Sequence, residues 1–481
     1  MSYNINFMRK EDFKILDKNI NILMDKAIIK KIELVEPVID EFKKIRKIIL
    51  DFIKINKRIV YGGYAWNNLI QKVSPKDVFY KDTDYTDIEF YSNKPIEDLI
   101  KLCDILYSYK FKYIQGKNAQ HFDTYTIFVN FNAYCDITYM PSNIYYNIMT
   151  EQIDGIRLIH PKVILVDILR QFTDPIISFW RLEKNIARGK LILENYPLKM
   201  NYDNTDIKLL NEKQITILYS ILPEICKLDS ILFIGFVALE AFFNPNKDIN
   251  KQLIIYNCKP IEIVSCNLKN DVSKIYNLII KFFLNNNDEN INDVINIEQY
   301  YPFFQFTDYS IIFRYKGSIF LIIYGNNERC NPYINVKFKI PEYNEIYNIK
   351  IGSFNYVFMY NLIKYHISYI NKKYHLCNLY DSIMYKSLLS RDKFLNKYNK
   401  TILDKTIFED FKIECIGTAI SPLRKFMLSR FNKKLLPKSA IHPYIPEEQK
   451  SNYEIDSYNF NNYSGNIINN PKDMIINIKI S

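Results

Sequence analysis

No stretch of the 481-residue chain runs for 18 or so apolar residues without a charge, which excludes a membrane-spanning helix of the usual length. The eight cysteines, Cys103, Cys135, Cys226, Cys258, Cys266, Cys330, Cys377 and Cys415, include no C-x-x-C pair. Their dispersal excludes a zinc-binding motif and a disulfide framework and predicts reduced, buried thiols in a cytosolic protein. Residues 1–13 are polar and broken by charges, so they do not read as a secretory signal. Negative charge is in the minority, 53 Asp and Glu against 64 Lys and Arg. The resulting net charge of +11 points to a polyanionic partner, because basic surface attracts phosphate backbones.

The chain is too long for one ordinary core, which predicts two domains plus terminal additions. Its 48% hydrophobic and 24% charged content is that of a folded soluble protein. Ile, Asn, Lys, Tyr and Phe recur as an AT-rich coding sequence would dictate, so most of the 39 Tyr and 32 Phe belong to the core.

The chemistry gathers early. Arg58 to Tyr61 reads as a short strand, Gly62-Gly63 as a turn whose backbone can approach a phosphate, and Ala65 to Ile70 as the helix behind it. In Asp87-Ile88-Glu89-Phe90, period-2 alternation sends both carboxylates to one face of a strand. Two hard oxygen ligands side by side can hold Mg²⁺. The pair Asp82-Thr83-Asp84 competes, but residues 81–85 have no apolar face and read as loop. A third carboxylate, Asp136 in Tyr134-Cys135-Asp136-Ile137, lies on a later strand and would complete a two-metal site for phosphoryl transfer.

A glycine turn, an acid-x-acid strand and a lone Asp on a later strand resemble the nucleotidyltransferase superfamily that includes poly(A) polymerases. The stretches 161–170 and 179–184, PKVILVDILR and FWRLEK, narrow the resemblance to the catalytic poly(A) polymerase subunits of poxviruses and giant viruses. It covers residues 56–195 well and the rest loosely, and Glu89 stands where the family usually has Asp. It implies template-independent addition of AMP from ATP to the RNA 3′ end, with Mg²⁺ or Mn²⁺ held by Asp87, Glu89 and Asp136. It also implies phosphate contact by Lys184, and a homodimer or a separate processivity subunit as partner. The place of action it implies is the host cytoplasm, in viral factories, with packaging in the virion. Runners-up are CCA or oligo(U) addition, modification of a small molecule, or a non-catalytic RNA-binding or processivity subunit.

Along the chain, residues 12–56 carry helical periodicity, with Phe42, Ile45, Ile49, Phe52 and Ile53 on one face and Pro37 at the helix start. Its lysines read as a solvated face. A helix is predicted over 95–109, strands over 124–132 and 132–139, and one helical stretch over 161–193. On the last, Arg181, Lys184 and Arg188 share a face, as a triphosphate or RNA contact or as plain solvated charge.

The second half reads as a degenerate copy of the first. Gly235 answers Gly63 and Ile234 answers Gly62; Pro260 answers Asp87 and Glu262 answers Glu89. Asp308 to Phe313 answers Asp123 to Phe128, Leu321 answers Asp136, and Tyr324 answers Tyr139. The predicted class is therefore α/β (α+β): an N-terminal helical segment (1–55), two tandem nucleotidyltransferase-like domains (56–200 and 201–440), and a poorly ordered tail (441–481). Residues 354–398 are predicted helical, with a Tyr and Ile stripe facing the core. The densest basic cluster, Arg424, Lys425, Arg430, Lys433, Lys434 and Lys438, is the leading candidate for RNA backbone contact, with surface solubility as the alternative.

Overall fold

The computed structural model describes residues 8–34, 39–80, 86–119, 121, 123–198, 209–245, 253–254, 259–286, 289–327, 329–340, 343, 345–420, 424, 444–447 and 464–476. Two compact units emerge. One holds Met1–Tyr139, Gln152–Leu158 and Lys433–Asp456; the other holds Met140–Glu151, Ile159–Asn432 and Ser457–Ser481. Residues 159–200, assigned on sequence to the first domain, therefore cluster with the second. Among the described residues no helix is long and apolar enough to cross a membrane.

The chain begins with helices α1 (Lys10–Leu34) and α2 (Ile39–Ile55). The α2 stripe of Phe42, Ile45, Ile49, Phe52 and Ile53 is buried as its spacing predicts. Pro37 lies outside the described residues. There follow β1 (Ile59–Tyr61), α3 (Gly62–Val73), β2 (Ile88–Ser92), α4 (Pro95–Ser108), β3 (Gln115–Asn118), β4 (Thr124–Val129) and β5 (Asn132–Tyr139). After α5 (Ser142–Tyr145) come β6 (Thr150–Ile153) and β7 (Ile156–Ile159). The sheet order is β3-β4-β5-β2-β1-β7-β6. Strand β2 runs antiparallel to β1 and parallel to β5, so β1, β2 and β5 sit side by side at its centre.

Next are α6 (Pro161–Phe172), α7 (Pro175–Ser178) and α8 (Leu182–Asn195). The single helix expected over 161–193 is thus broken, because Pro175 cannot continue α6 and Asp174 accepts the Ile177 N–H to start a new turn. Helix α9 (Glu212–Ile225) leads to β8 (Ile231–Ile234), α10 (Gly235–Phe243), β9 (Leu253–Ile254), β10 (Ile261–Ser265), α11 (Leu268–Asn286) and α12 (Ile291–Val294). Strands β11 (Ile295–Tyr300), β12 (Ser310–Tyr315), β13 (Ser318–Gly325), β14 (Asn331–Lys339) and β15 (Ile346–Gly352) complete the sheet. The chain then forms α13 (Phe354–Ile370), α14 (Tyr374–Tyr398) and β16 (Cys415–Ile416). Of the α13 stripe, Tyr356, Tyr360, Ile363 and Ile370 are buried.

The second sheet has the order β11-β12-β13-β10-β8-β15-β14 before β16, which repeats the first strand for strand. The senses repeat too: β10 is antiparallel to β8 and parallel to β13, and β15 is parallel to β8 as β7 is to β1. Even the irregularity between Ile127 and Phe128 recurs, between Phe313 and Arg314. In the first unit Ser92 Oγ donates to Asp98 Oδ2 at 2.5 Å. In the second, Ser265 Oγ donates to Asp271 Oδ2 at 2.6 Å. Both pairs are buried. The expected duplication is present.

Three further sequence expectations need correction. Cys330 and Cys415 form a disulfide. No spacing motif marks it, because pairing of Pro332 with Cys415 brings these distant residues together. Cys103, Cys135 and Cys377 are free and buried, as predicted. The tail is not uniformly loose: Ile467 bridges to Tyr300 at the edge of β11, and Ile468 N–H donates to the Gln299 carbonyl at 2.7 Å. An exposed edge strand carries unpaired backbone groups, which such a segment satisfies. Finally, α3 starts at Gly62 rather than at Ala65.

Candidate active site

Strand β1 ends at Tyr61, and the chain turns into α3 through Gly62, whose φ of +67° only glycine adopts without strain. A Cβ on Gly62 would fall on the Glu89 carboxylate. The Gly63 N–H donates to Glu89 Oε2 at 3.2 Å, so the glycine turn and the acidic strand are one structure. Helix α3 begins at this junction, and the positive end of a helix favours an anion there.

Ile88 and Phe90 are fully buried and Glu89 half-buried, the alternation read from the sequence. Glu89 is paired in register with Tyr61 on one side and Asp136 on the other. Residues in register on neighbouring strands lie about 5 Å apart, so both carboxylates occupy one site on one face. Asp87 lies just before β2 and is exposed. Asp136 accepts from Thr126 Oγ1 at 2.5 Å. Burial raises the pKa of Asp136; the Thr126 hydrogen bond opposes this, and the Asp87 charge raises it further.

Two supporting side chains were not singled out in the sequence. Arg46 of α2 donates to the Thr86 carbonyl (2.5 Å) and Thr86 Oγ1 (2.8 Å), fixing the residue before Asp87. Its guanidinium lies over Phe42 at 5.3 Å and Tyr64 at 5.2 Å. Burial lowers its pKa, and the charges of its neighbours, Asp87 among them, work against that. The available signal was an arginine four residues after Phe42, bordering the apolar stripe rather than opposite it. Thr126 is the other; it pairs with Asp136 across β4 and β5, which no local pattern reveals.

The sequence-predicted residues divide as follows. Gly62, Gly63, Asp87, Glu89 and Asp136 all lie in the first unit, whereas exposed Lys184 belongs to the second, on α8. Asp82 and Asp84 lie outside the described residues. In the basic cluster Arg424 is described and exposed; Lys425, Arg430, Lys433, Lys434 and Lys438 lie outside the described residues.

Among the described residues no three His, Cys, Asp or Glu side chains stand preassembled around a point that could hold a metal ion. The donor set nevertheless suits one. Asp87, Glu89 and Asp136 offer oxygen only, the chemistry of Mg²⁺ or Mn²⁺. Burial first, and then the nearby Asp87 charge, disfavour ionised Asp136, and a bound cation would relieve both.

The second unit shows how this arrangement is lost, with two registers to correct. Gly235 (φ +58°) opens α10 and therefore matches Gly62, not Gly63. Glu262 pairs in register with Ile234 and Ile322, as Glu89 does with Tyr61 and Asp136. Asp136 is thus answered by Ile322, not Leu321, and Thr138 rather than Tyr139 is answered by Tyr324. Likewise Ser310, at the start of β12, answers Thr124 and not Tyr125. A one-residue slip places a side chain on the opposite face, and a sequence rich in Ile and Tyr on both faces does not betray it. The retained acid, Glu262, is buried against the Lys364 ammonium at 2.8 and 3.0 Å.

Two protein families match the chain. Residues 47–178 match the poly(A) polymerase catalytic subunit family, and residues 236–478 match the C-terminal family of the mimivirus (APMV) poly(A) polymerase catalytic subunit. A poly(A) polymerase catalytic subunit of Acanthamoeba polyphaga mimivirus is 32% identical over 97% of this chain and 84% of its own length. The corresponding protein of African swine fever virus (isolate Pig/Kenya/KEN-50/1950) is 28% identical over 34% of this chain and 36% of its own. The crystal structure of the Megavirus polyadenylate synthase is similar with a TM-score of 0.84 at 31% identity, covering 98% of this chain and 95% of that one. With the glycine turn, the registered carboxylates and the duplicated sheet, these likenesses place the chain in the poly(A) polymerase catalytic subunit family of large DNA viruses.

Proposed function

We propose that the chain adds AMP from ATP to the 3′ end of viral mRNA without a template, at the site formed by Gly62, Gly63, Asp87, Glu89 and Asp136. The observation that carries this is the registration of Glu89 with Asp136 beside the glycine turn. Asp87 and Glu89 would hold one divalent cation and Asp136 would join them in holding a second. When bound, the cations supply a lowered pKa at the RNA 3′-hydroxyl and offset charge on the triphosphate. The turn at Gly62 and Gly63 brings backbone N–H groups close to the phosphates, and Arg46 fixes the approach of Asp87 through Thr86. The 3′-hydroxyl gives its proton to water, its oxygen bonds to the α-phosphorus, the bond from the α-phosphorus to the bridging oxygen breaks, and pyrophosphate leaves. Lys184 and the cluster from Arg424 to Lys438 are proposed phosphate and RNA contacts. The proposal includes action in the host cytoplasm and a partner, either a second copy or a separate processivity subunit.

The first copy keeps all three acids, whereas the second has Pro260, Glu262 and Ile322 at the matching places, which favours catalysis over a purely RNA-binding role. The test is incubation of the full chain with an RNA primer, Mg²⁺ or Mn²⁺ and each NTP separately. ATP should give long products, and Asp87→Ala or Asp136→Ala should lower the rate by several orders of magnitude with an unchanged circular dichroism spectrum. Asp84→Ala should be mild. Wild-type extension by a folded Asp136→Ala variant would refute the site.

A further inference from the structure

Between α7 and α8 the second unit turns two large aromatic side chains outward. Phe179 is 72% and Trp180 65% exposed, with Ile176 beside them at 43%. The break at Asp174 and Pro175 produces this, since a continuous helix would have rotated these positions differently. The Arg181 guanidinium lies 4.3 Å over the Trp180 ring. One and two turns on, Lys184 (exposed) and Arg188 (half-buried) fall on the same face of α8, with Glu183 exposed next to them. The other tryptophan, Trp66, is buried in α3.

Two large rings this exposed within four residues of an exposed Ile176 are candidates for a binding surface. Its chemistry is specific: flat π faces, a guanidinium stacked on one of them, and a cationic helix face alongside. Bases stack on such rings while the cations follow the phosphates, a combination that binds single strands without needing their sequence. The patch carries three cations against one carboxylate, Glu183, a balance that suits a polyanion better than a second copy of the same basic face. We propose that Phe179, Trp180 and Arg181 form a stacking platform for single-stranded RNA, with Lys184 and Arg188 following its backbone. The platform rests on the reading of RNA as substrate and adds to it a place where the strand is held.

The test uses the full chain and a labelled single-stranded oligoadenylate. Saturating RNA should quench the part of the emission that Trp180→Phe removes. The Phe179→Ala/Trp180→Ala variant should bind RNA roughly tenfold or more weakly, the range for loss of base stacking. Trp180→Phe, which keeps a ring, should bind close to wild type. The KM for primer should rise in the double variant and stay close to wild type in Trp180→Phe. Equal RNA affinity in the double variant, or Trp180 emission left unquenched by saturating RNA, would overturn the platform. So would a double variant that dissociates from dimer to monomer in sedimentation while keeping its RNA affinity, because the patch would then be a contact between copies. A wild-type chain that fails to extend any primer would refute the function itself, whereas extension with unchanged affinity in the double variant refutes the platform alone.

Discussion

Gly62 shows how one residue can fix a site. Its left-handed φ and the Glu89 carboxylate occupying the place of a side chain mean that alanine is disfavoured twice there. The conformation alone costs about 1–2 kcal/mol for a residue with a Cβ, and relief of the overlap must move Glu89. Gly62→Ala should therefore lower the rate of first-nucleotide addition at least about tenfold, a loss of roughly 1.4 kcal/mol in transition-state stabilisation. Gly235→Ala makes the matching change in the other unit, where a Cβ would lie 2.7 Å from the Glu262 carboxyl. That variant should lose stability in urea unfolding while keeping its catalytic rate. Equal rates for Gly62→Ala and wild type would show that Glu89 tolerates displacement and does not act as a ligand.

At the scale of elements, the two β–turn–α junctions have the same backbone and opposite electrostatics. Around β2, Glu89 and Asp136 stand in register with exposed Asp87 just before the strand. Around β10 the one retained acid is matched by Lys364 from α13, with both partners buried. Removing one member of a buried ion pair leaves the other charged and unsolvated, a cost of about 3–5 kcal/mol. Lys364→Met should accordingly unfold at distinctly lower urea, and Lys364→Met combined with Glu262→Gln should recover most of the loss. Neither change touches the acids of the first unit, so first-nucleotide addition by the double variant should match wild type. If the double variant is as unstable as Lys364→Met alone, the two side chains are not coupled and the ammonium has another role.

For the whole molecule the relevant quantity is the net charge of +11. RNA affinity should fall linearly with the logarithm of salt concentration, with a slope of roughly 0.7 per phosphate neutralised on a single strand. Reversing Arg424, Lys425 and Arg430 to Glu should flatten that slope and shorten the product made before dissociation. Addition of one nucleotide at saturating primer should be nearly unchanged. An unaltered slope in a filter-binding titration would assign this cluster to solvation and leave the RNA path to other cations.

The sequence alone determined the parts that depend on local periodicity. Alternation placed Ile88 and Phe90 inside and Glu89 on the other face, the helical stripe of α2 was legible, and the order of turn and acids carried the family resemblance. The duplication was legible too, because the strand patterns recur in order. Tertiary structure decided what depends on which strands lie side by side. The β2 and β5 register brings Glu89 to Asp136, the β10 and β13 register assigns Ile322 in place of Leu321, and β14 and β16 bring Cys330 to Cys415. It also supplied Arg46, Thr126 and Lys364, each acting on a residue far away in the chain. The reason is physical: periodicity says which face a side chain is on, but only strand pairing and helix packing say what it meets there.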